Sequence, residues 1–135
     1  MALEAYKKAL ELEGNNPLIY QSMGECYYTS EKYASAIKYY QHAAKYTTNA
    51  EERVPLLNML GMSSAKMEDY RGAYIYFKQA YELDKDNEKM LNNLLVSCVE
   101  TYKKDEAIEF IKDYKSRHPD IVQKQFIKDV LRWAK

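Results

Sequence analysis

Apolar residues recur along the chain with the spacing of an α-helix, in two successive stretches. In the first stretch Tyr20, Met23 and Tyr27 are three and four residues apart, and in the second Ala36 and Tyr40 continue this spacing. Steps of three and four residues place side chains on one face of an α-helix. The pattern therefore predicts two amphipathic helices that pack against each other as a hairpin.

The hairpin pattern repeats along the chain. Its second helix is marked by one set of residues at intervals of 34, 37 and 34: Ala2, Tyr6 and Ala9, then Ala36, Tyr40 and Ala43, then Ala73, Phe77 and Ala80, and last Ala107 and Ile111. Its first helix is marked by a set at intervals of 37 and 34: Tyr20, Met23 and Gly24, then Leu57, Leu60 and Gly61, then Leu91, Leu94 and Leu95. Because both sets gain three residues at the same place, the shorter interval is the length of the unit, and the longer one reflects an insertion in Thr47–Arg53.

The composition also favours helices. With 4 Gly and 3 Pro, the 135-residue chain has too few turn residues for an all-β sandwich or barrel. Helix starts are predicted at Asn16 before Pro17, at Asn87, and at Asp120 after Pro119, because Asn and Asp cap helices and Pro suits the first turn.

The unit resembles the tetratricopeptide repeat, a helix-turn-helix of about 34 residues with Leu-Gly and Tyr in its first helix and Ala, an aromatic residue and Ala in its second. The first full unit carries the resemblance at Tyr20, Met23, Gly24, Tyr27, Tyr33, Ala36, Tyr40 and Ala43, and the second at Leu57, Leu60, Gly61, Tyr70, Ala73, Phe77 and Ala80. The third diverges, with Leu95 in place of Gly and Tyr114 in place of the last Ala. The resemblance implies an all-α, right-handed solenoid of antiparallel helical hairpins with a C-terminal capping helix.

On this register the chain forms a single array. Residues 2–14 correspond to the second helix of a partial repeat, residues 17–50, 54–87 and 88–120 to full repeats, and residues 121–135 to a capping helix. The last segment has one apolar stripe that includes Phe126 and Trp133, and a second stripe that includes Ile127 and Leu131. Two stripes are more than a cap needs, which favours a fragment of a longer solenoid; the alternative is a wider contact with the preceding unit.

No pattern in the sequence predicts catalysis. His42 and His118 lack a Cys or carboxylate partner at the spacing of a triad or metal site, and both are expected to face solvent. Cys26 and Cys98 are far apart in the sequence, so we expect two small core residues rather than a disulfide or a zinc site. We therefore expect a protein that is not an enzyme and that has no metal or other cofactor.

Charge and hydropathy make some partners improbable. Lys and Arg total 20 and balance 20 Asp and Glu, so no global field attracts phosphates or anionic lipids. No apolar run approaches the roughly 20 residues of a membrane span, and the first residues do not form a signal peptide. These features predict a cytoplasmic location without membrane insertion, and a protein or peptide partner rather than a nucleic acid.

The resemblance implies that the first helices of the units line a concave groove. The partner-binding residues predicted in this groove are Gln21, Glu25, Tyr28, Asn58, Met59, Met62, Asn92 and Asn93, and Leu18 and Pro55 lie on the same face. Gln21, Asn58 and Asn92 share one position in successive units. Because an amide side chain both donates and accepts hydrogen bonds, we expect a ladder of amides that binds the backbone of an extended peptide. The contrary interpretation is that these amides are only solvated surface.

Three other functions are compatible with a helical repeat. Co-chaperones that resemble this array grip a C-terminal carboxylate, but Glu25 would repel one. Pentatricopeptide repeats, which are similar hairpins, bind RNA, but here Lys66 and Lys89 are balanced by Glu25 and Glu100. Self-assembly through the convex and end surfaces is the main alternative to peptide binding.

Tyrosine is unusually frequent, at 14 of 18 aromatic residues. Six fall on packing positions of the repeat: Tyr6, Tyr20, Tyr27, Tyr33, Tyr40 and Tyr70. Eight do not, and of these Tyr39 and Tyr76 share a position that we expect on the convex side of the second helices. A buried hydroxyl needs a partner, so the surplus rings are expected to form an interface or to cover helix surface.

Overall fold

The computed structural model describes residues 2–135, except for the side chains of residues 2 and 13, and this part of the chain is all-helical. Its elements are α1 (Ala2–Glu13), α2 (Pro17–Thr29), α3 (Tyr33–Tyr46), α4 (Ala50–Lys66), α5 (Tyr70–Leu83), α6 (Glu88–Glu100), α7 (Lys104–Arg117), a 3₁₀ turn (Pro119–Gln123) and α8 (Gln125–Ala134). The helices pair as hairpins α2–α3, α4–α5 and α6–α7, and each hairpin packs on the next. The architecture is the expected solenoid.

An asparagine side chain caps the first helix of each hairpin, α2, α4 and α6. The Oδ1 atom of Asn16 accepts the backbone N–H of Leu18 at 3.0 Å, and Asn49 and Asn87 cap α4 and α6 in the same way. These bonds satisfy backbone donors that have no partner within the first turn of a helix. The helix starts predicted at Asn16 and Asn87 are thereby confirmed.

The insertion in the repeat forms an added helical turn. Helix α4 begins at Ala50, four residues before residue 54, where the repeat register resumes. It has 17 residues, whereas α2 and α6 have 13 each. The Nη1 atom of Arg53 in this turn donates to the carbonyl oxygens of Ala44, at 2.6 Å, and Thr47, at 3.0 Å. Arg53 therefore fastens the end of α3 to the start of α4.

Two glycines allow the paired helices to approach closely. A β-carbon at Gly24 would lie 2.8 Å from ring carbons of Tyr40, and one at Gly61 would lie 2.5 Å from Cε1 of Phe77. In the third hairpin the corresponding residues are Leu95 and Ile111, both buried. A larger residue on the first helix thus coincides with a smaller one on the second, so the divergent unit still fills its core.

The turn within each hairpin has one residue in the left-handed region. Glu31, Glu68 and Tyr102 have φ angles of 61°, 60° and 57°, and each sits one residue before a backbone N–H that bonds back across the helix end. The bond from Asp69 N–H to the Ser64 carbonyl, at 2.9 Å, is an example. This geometry is a Schellman turn, which most often uses Gly.

Glu68→Gly is expected to stabilise the chain by about 0.5–1 kcal/mol. An L-residue in the left-handed region costs roughly 1–2 kcal/mol, and part of the gain is lost because Gly is more flexible in the unfolded chain. Urea unfolding measures the change. As a control, Gln79→Gly at an exposed position inside α5 is expected to destabilise by about 1 kcal/mol. Equal losses for both variants would contradict the prediction.

The C-terminal segment differs from the single helix expected over residues 121–135 with a start at Asp120. A 3₁₀ turn begins at Pro119, Lys124 is extended with a ψ of 133°, and α8 begins at Gln125. Ile121 and Ile127 are both buried, and in one continuous helix side chains six residues apart would lie on different faces. The break at Lys124 allows both to enter the core.

Candidate functional site

The predicted groove residues lie on α2, α4 and α6, but their exposure differs. Glu25 is exposed, Asn58 is buried with 7% of its surface accessible, and six are half-buried: Gln21, Tyr28, Met59, Met62, Asn92 and Asn93. Met59, Met62 and Tyr28 also pack against the core, so only part of each side chain is free to contact a partner.

Asn58 does not have the free amide that the ladder requires. Asn93 Nδ2 donates to Asn58 Oδ1 at 2.8 Å, and Asn58 Nδ2 lies 3.4 Å from the sulfur of Met62. The pair joins α4 to α6, because Asn93 occupies the position after the one that Asn58 holds in the preceding unit. This corrects the expected ladder: of its three amides, Gln21 and Asn92 remain half-exposed, whereas Asn58 belongs to the packing between units.

Two hollows open beside the first helices. One, of about 410 Å³, lies between the start of α2 and the start of α4, where the predicted residue Gln21 is joined by Leu18 and Pro55. The other, of about 450 Å³, lies between α1 and α2 and is lined by the predicted residue Glu25 together with Leu3, Tyr6, Ser22, Cys26, Thr29 and Ser30. Gln21 and Glu25 thus belong to different hollows, and the other six predicted residues line neither.

Sequence reasoning missed the acidic residues of the first hollow. Glu51 and Glu52 line it from the added turn of α4, and both are exposed. They lie in the three-residue insertion, outside the repeat register from which groove positions were assigned. The cap signal, Asn49 followed by two acidic residues, could have predicted a helical turn there.

Neither histidine simply faces solvent, as the sequence led us to expect. The His42 ring stacks on Tyr20 with a centroid distance of 5.1 Å, and Tyr27 stacks on Tyr39 at 5.3 Å. His118 Nε2 lies 2.9 Å from Asp86 Oδ1. Among the side chains that the structure describes, no group of three or more His, Cys, Asp and Glu residues is arranged to hold a metal ion.

The surplus tyrosines take several structural roles. Tyr39 is half-buried in the stack with Tyr27, and the Tyr76 hydroxyl accepts a hydrogen bond from Gln41 at 2.8 Å, which joins α3 to α5. Tyr81 and Tyr114 are buried. In the part of the chain that the structure describes, no helix has both the length and the apolar character needed to cross a membrane.

Comparison with known proteins identifies the repeat. A family model described as tetratricopeptide repeat matches residues 18–49 and 54–87. Tetratricopeptide repeat protein 21A of Mus musculus is 30% identical over 116 residues, a match that covers 80% of this chain and 8% of the relative. The chain therefore spans a small fraction of this curated relative.

Solved structures have the same fold. The match to the structure of MamA covers 97% of this chain and 75% of the MamA chain, with a TM-score of 0.76 and 21% sequence identity. YrrB is described as a TPR protein with an unusual peptide-binding site. Its match covers 98% of this chain and 74% of the YrrB chain, with a TM-score of 0.73 and 22% sequence identity. The match to a chain of the APC/C hetero-tetramer Cut9-Hcn1 covers 97% of this chain and 25% of that chain, with a TM-score of 0.71 and 18% sequence identity.

Repeats of this kind generally serve as scaffolds for protein–protein interactions and are generally not enzymes. The regular internal period of the sequence, the glycines that meet aromatic rings and the matched family model lead to one assignment. Residues 18–49 and 54–87 are tetratricopeptide repeats, and the array that contains them has the fold of YrrB, a solved TPR protein.

Proposed function

We propose that the chain is a non-catalytic interaction module that holds an extended segment of a protein partner along α2, α4 and α6. The observation that carries this proposal is the open hollow beside Gln21, whose lining includes three residues that the repeat register assigns to the concave face: Leu18, Gln21 and Pro55. YrrB, which has the same fold and is described as a TPR protein with an unusual peptide-binding site, is consistent with it.

The half-exposed side chains of this face suit an extended peptide. Gln21 and Asn92 have amides that can both donate to and accept from a peptide backbone. Met59 and Met62 are flexible and polarizable, so they adapt to different apolar side chains. The Asn58–Asn93 pair has a different role, since its hydrogen bond holds α4 and α6 in register beneath the bound segment.

The charge of the face favours an internal segment over a chain terminus. Glu25 is exposed on α2, where its carboxylate would repel the C-terminal carboxylate of a partner. An internal segment has no such charge. We therefore expect binding that does not depend on a free C-terminus.

A random peptide library displayed on phage tests the proposal. Peptides selected on the chain are expected to bind the double variant Gln21→Ala/Asn92→Ala about tenfold more weakly, because each amide contributes roughly 0.5–1.5 kcal/mol of hydrogen bonding. The affinities are measured by isothermal titration calorimetry with synthetic copies of the peptides.

The matched control removes two exposed amides from other surfaces, in the variant Gln79→Ala/Gln123→Ala. This variant is expected to bind as the unaltered chain does. Selected peptides that bind both variants equally well would place the binding surface outside the concave face and would refute the proposal. An amidated C-terminus is expected to leave the affinity unchanged.

A further inference from the structure

The added turn of α4 stands between two hollows of the surface. The hollow on the α2 side, which we call the ridge pocket, has a volume of about 410 Å³ and is lined by Asn16, Pro17, Leu18, Gln21, Thr47, Glu51, Glu52, Pro55 and Leu56. The hollow on the other side, of about 460 Å³, shares Glu51 and Pro55 with it. Both volumes fall in the range of roughly 300–1,000 Å³ that is usual for ligand sites.

The ridge pocket is a product of the insertion rather than of the repeat. Its wall on the α4 side includes the added turn, whereas α2 and α6 are each four residues shorter than α4. The Asn49 cap and the bonds from Arg53 to Ala44 and Thr47 hold this turn in place. Contacts within the chain therefore hold the wall in position.

Four residues of the ridge pocket lining are apolar. Pro17 and Leu18 contribute from α2, and Pro55 and Leu56 contribute from α4. Leu18 leaves 68% of its surface exposed, which places an uncovered leucine at the mouth of a concave site. Covering it with another apolar side chain would remove both surfaces from water.

The rim of the ridge pocket is acidic. Glu51 and Glu52 are exposed, and within residues 2–135 neither forms an ion pair with a basic side chain. The neighbouring Arg53 is directed to the carbonyls of α3 instead. Acidic residues in a first turn also stabilise a helix, but that role does not account for the apolar hollow beside them.

We propose that the ridge pocket binds a peptide segment in which a large apolar side chain lies next to lysine or arginine. The apolar side chain covers Leu18 and Pro55, and the adjacent cation pairs with Glu51 and Glu52. This inference rests on the proposed peptide-binding function and adds the class of segment that is selected.

Four short synthetic peptides of Gly, Ser and Thr test the proposal. Their central pairs are Leu-Lys, Ala-Lys, Leu-Glu and Ala-Glu, and binding is followed by the backbone amide chemical shifts of the isotope-labelled chain. The Leu-Lys peptide is expected to shift the amides of Leu18 and Leu56 and to bind about tenfold more tightly than each of the others. Added salt is expected to weaken its binding, because the cation contacts exposed carboxylates.

Variants of the chain locate the two contacts. Leu18→Ser and Glu51→Gln/Glu52→Gln are each expected to weaken binding of the Leu-Lys peptide by about tenfold. All three residues are exposed, so the variants should fold, and the unperturbed shifts of buried residues verify this. The controls are Leu12→Ser and Glu4→Gln/Glu11→Gln on α1, which remove the same groups away from the pocket and should have no effect.

The outcomes separate this inference from the proposed function. Equal binding of all four peptides, or of the Leu18→Ser variant and the unaltered chain, would overturn the inference. If the Leu-Lys peptide shifts no amide while library-selected peptides bind the concave face, the inference fails and the proposed function stands. If the selected peptides also ignore that face, both fail.

Discussion

Gly61→Ala is expected to destabilise the chain by about 2 kcal/mol, although alanine is the better helix former. The new β-carbon would lie 2.5 Å from Cε1 and 2.7 Å from Cδ1 of the buried Phe77 ring. Overpacking of this kind costs roughly 1–3 kcal/mol, and a contact so short belongs at the upper end. The gain in helix propensity, about 1 kcal/mol, recovers only part of the loss. Urea unfolding measures the difference.

A second substitution on the partner helix provides the control. In the variant Gly61→Ala/Phe77→Leu the side chain opposite the new methyl group is smaller, as it is at Leu95 and Ile111 in the third hairpin. The double variant is expected to lose less stability than the sum of the two single variants. Additive losses would show that contact between these two positions is not the cause.

Removal of a single hydroxyl group is expected to have opposite effects at two buried tyrosines. The Tyr40 hydroxyl is buried and forms no hydrogen bond to any residue between 2 and 135, and burial raises the pKa of this group. Tyr40→Phe is expected to stabilise the chain by up to about 1 kcal/mol, because it removes a buried polar atom that lacks a partner. Phe77 holds the same position in the next unit.

Tyr81 is the matched comparison. Its hydroxyl donates to Asp113 Oδ2 at 2.6 Å and accepts from Arg117 Nη2 at 3.3 Å. Arg117, together with this hydroxyl, lowers the pKa of Asp113 to about 2. Tyr81→Phe is expected to lower the free energy of unfolding by about 1–2 kcal/mol. Loss of a hydrogen bond to a fully buried charge would cost more, but Asp113 is partly exposed to solvent. Thermal and urea unfolding of both variants measure the two changes in stability. A loss of stability for Tyr40→Phe as large as that for Tyr81→Phe would contradict this explanation.

The fold could be predicted from the sequence because its determinants are periodic. Two sets of residues with common intervals specified the helical hairpins, and Asn16 and Asn87 marked two helix starts. The break at Lys124 could not be predicted in the same way. Local propensity favours one helix there, and the break follows from the need to bury both Ile121 and Ile127, which is a property of the assembled core.

The groove was less predictable than the fold. Register identified which side chains share a face, but it could not show that Asn93 of one unit reaches Asn58 of another, because that contact depends on the twist between hairpins. It also excluded Glu51 and Glu52, since an insertion has no counterpart in the other units. Residues that break the repeat are thus the ones for which a repeat pattern carries no information.

The distribution of aromatic rings gives the C-terminal end of the solenoid an optical signal of its own. The first hairpin holds the stack of Tyr20, Tyr27, Tyr39 and His42, while the sole tryptophan of the sequence, Trp133, lies in α8. Tryptophan fluorescence therefore monitors the C-terminal end, whereas near-ultraviolet circular dichroism of tyrosine monitors all three hairpins, since Tyr81 and Tyr114 are buried in the second and third. In a solenoid whose units contact only their neighbours, unfolding that starts at one end would separate the two transitions. The chain can therefore report, without an added label, whether it melts as one unit or from an end.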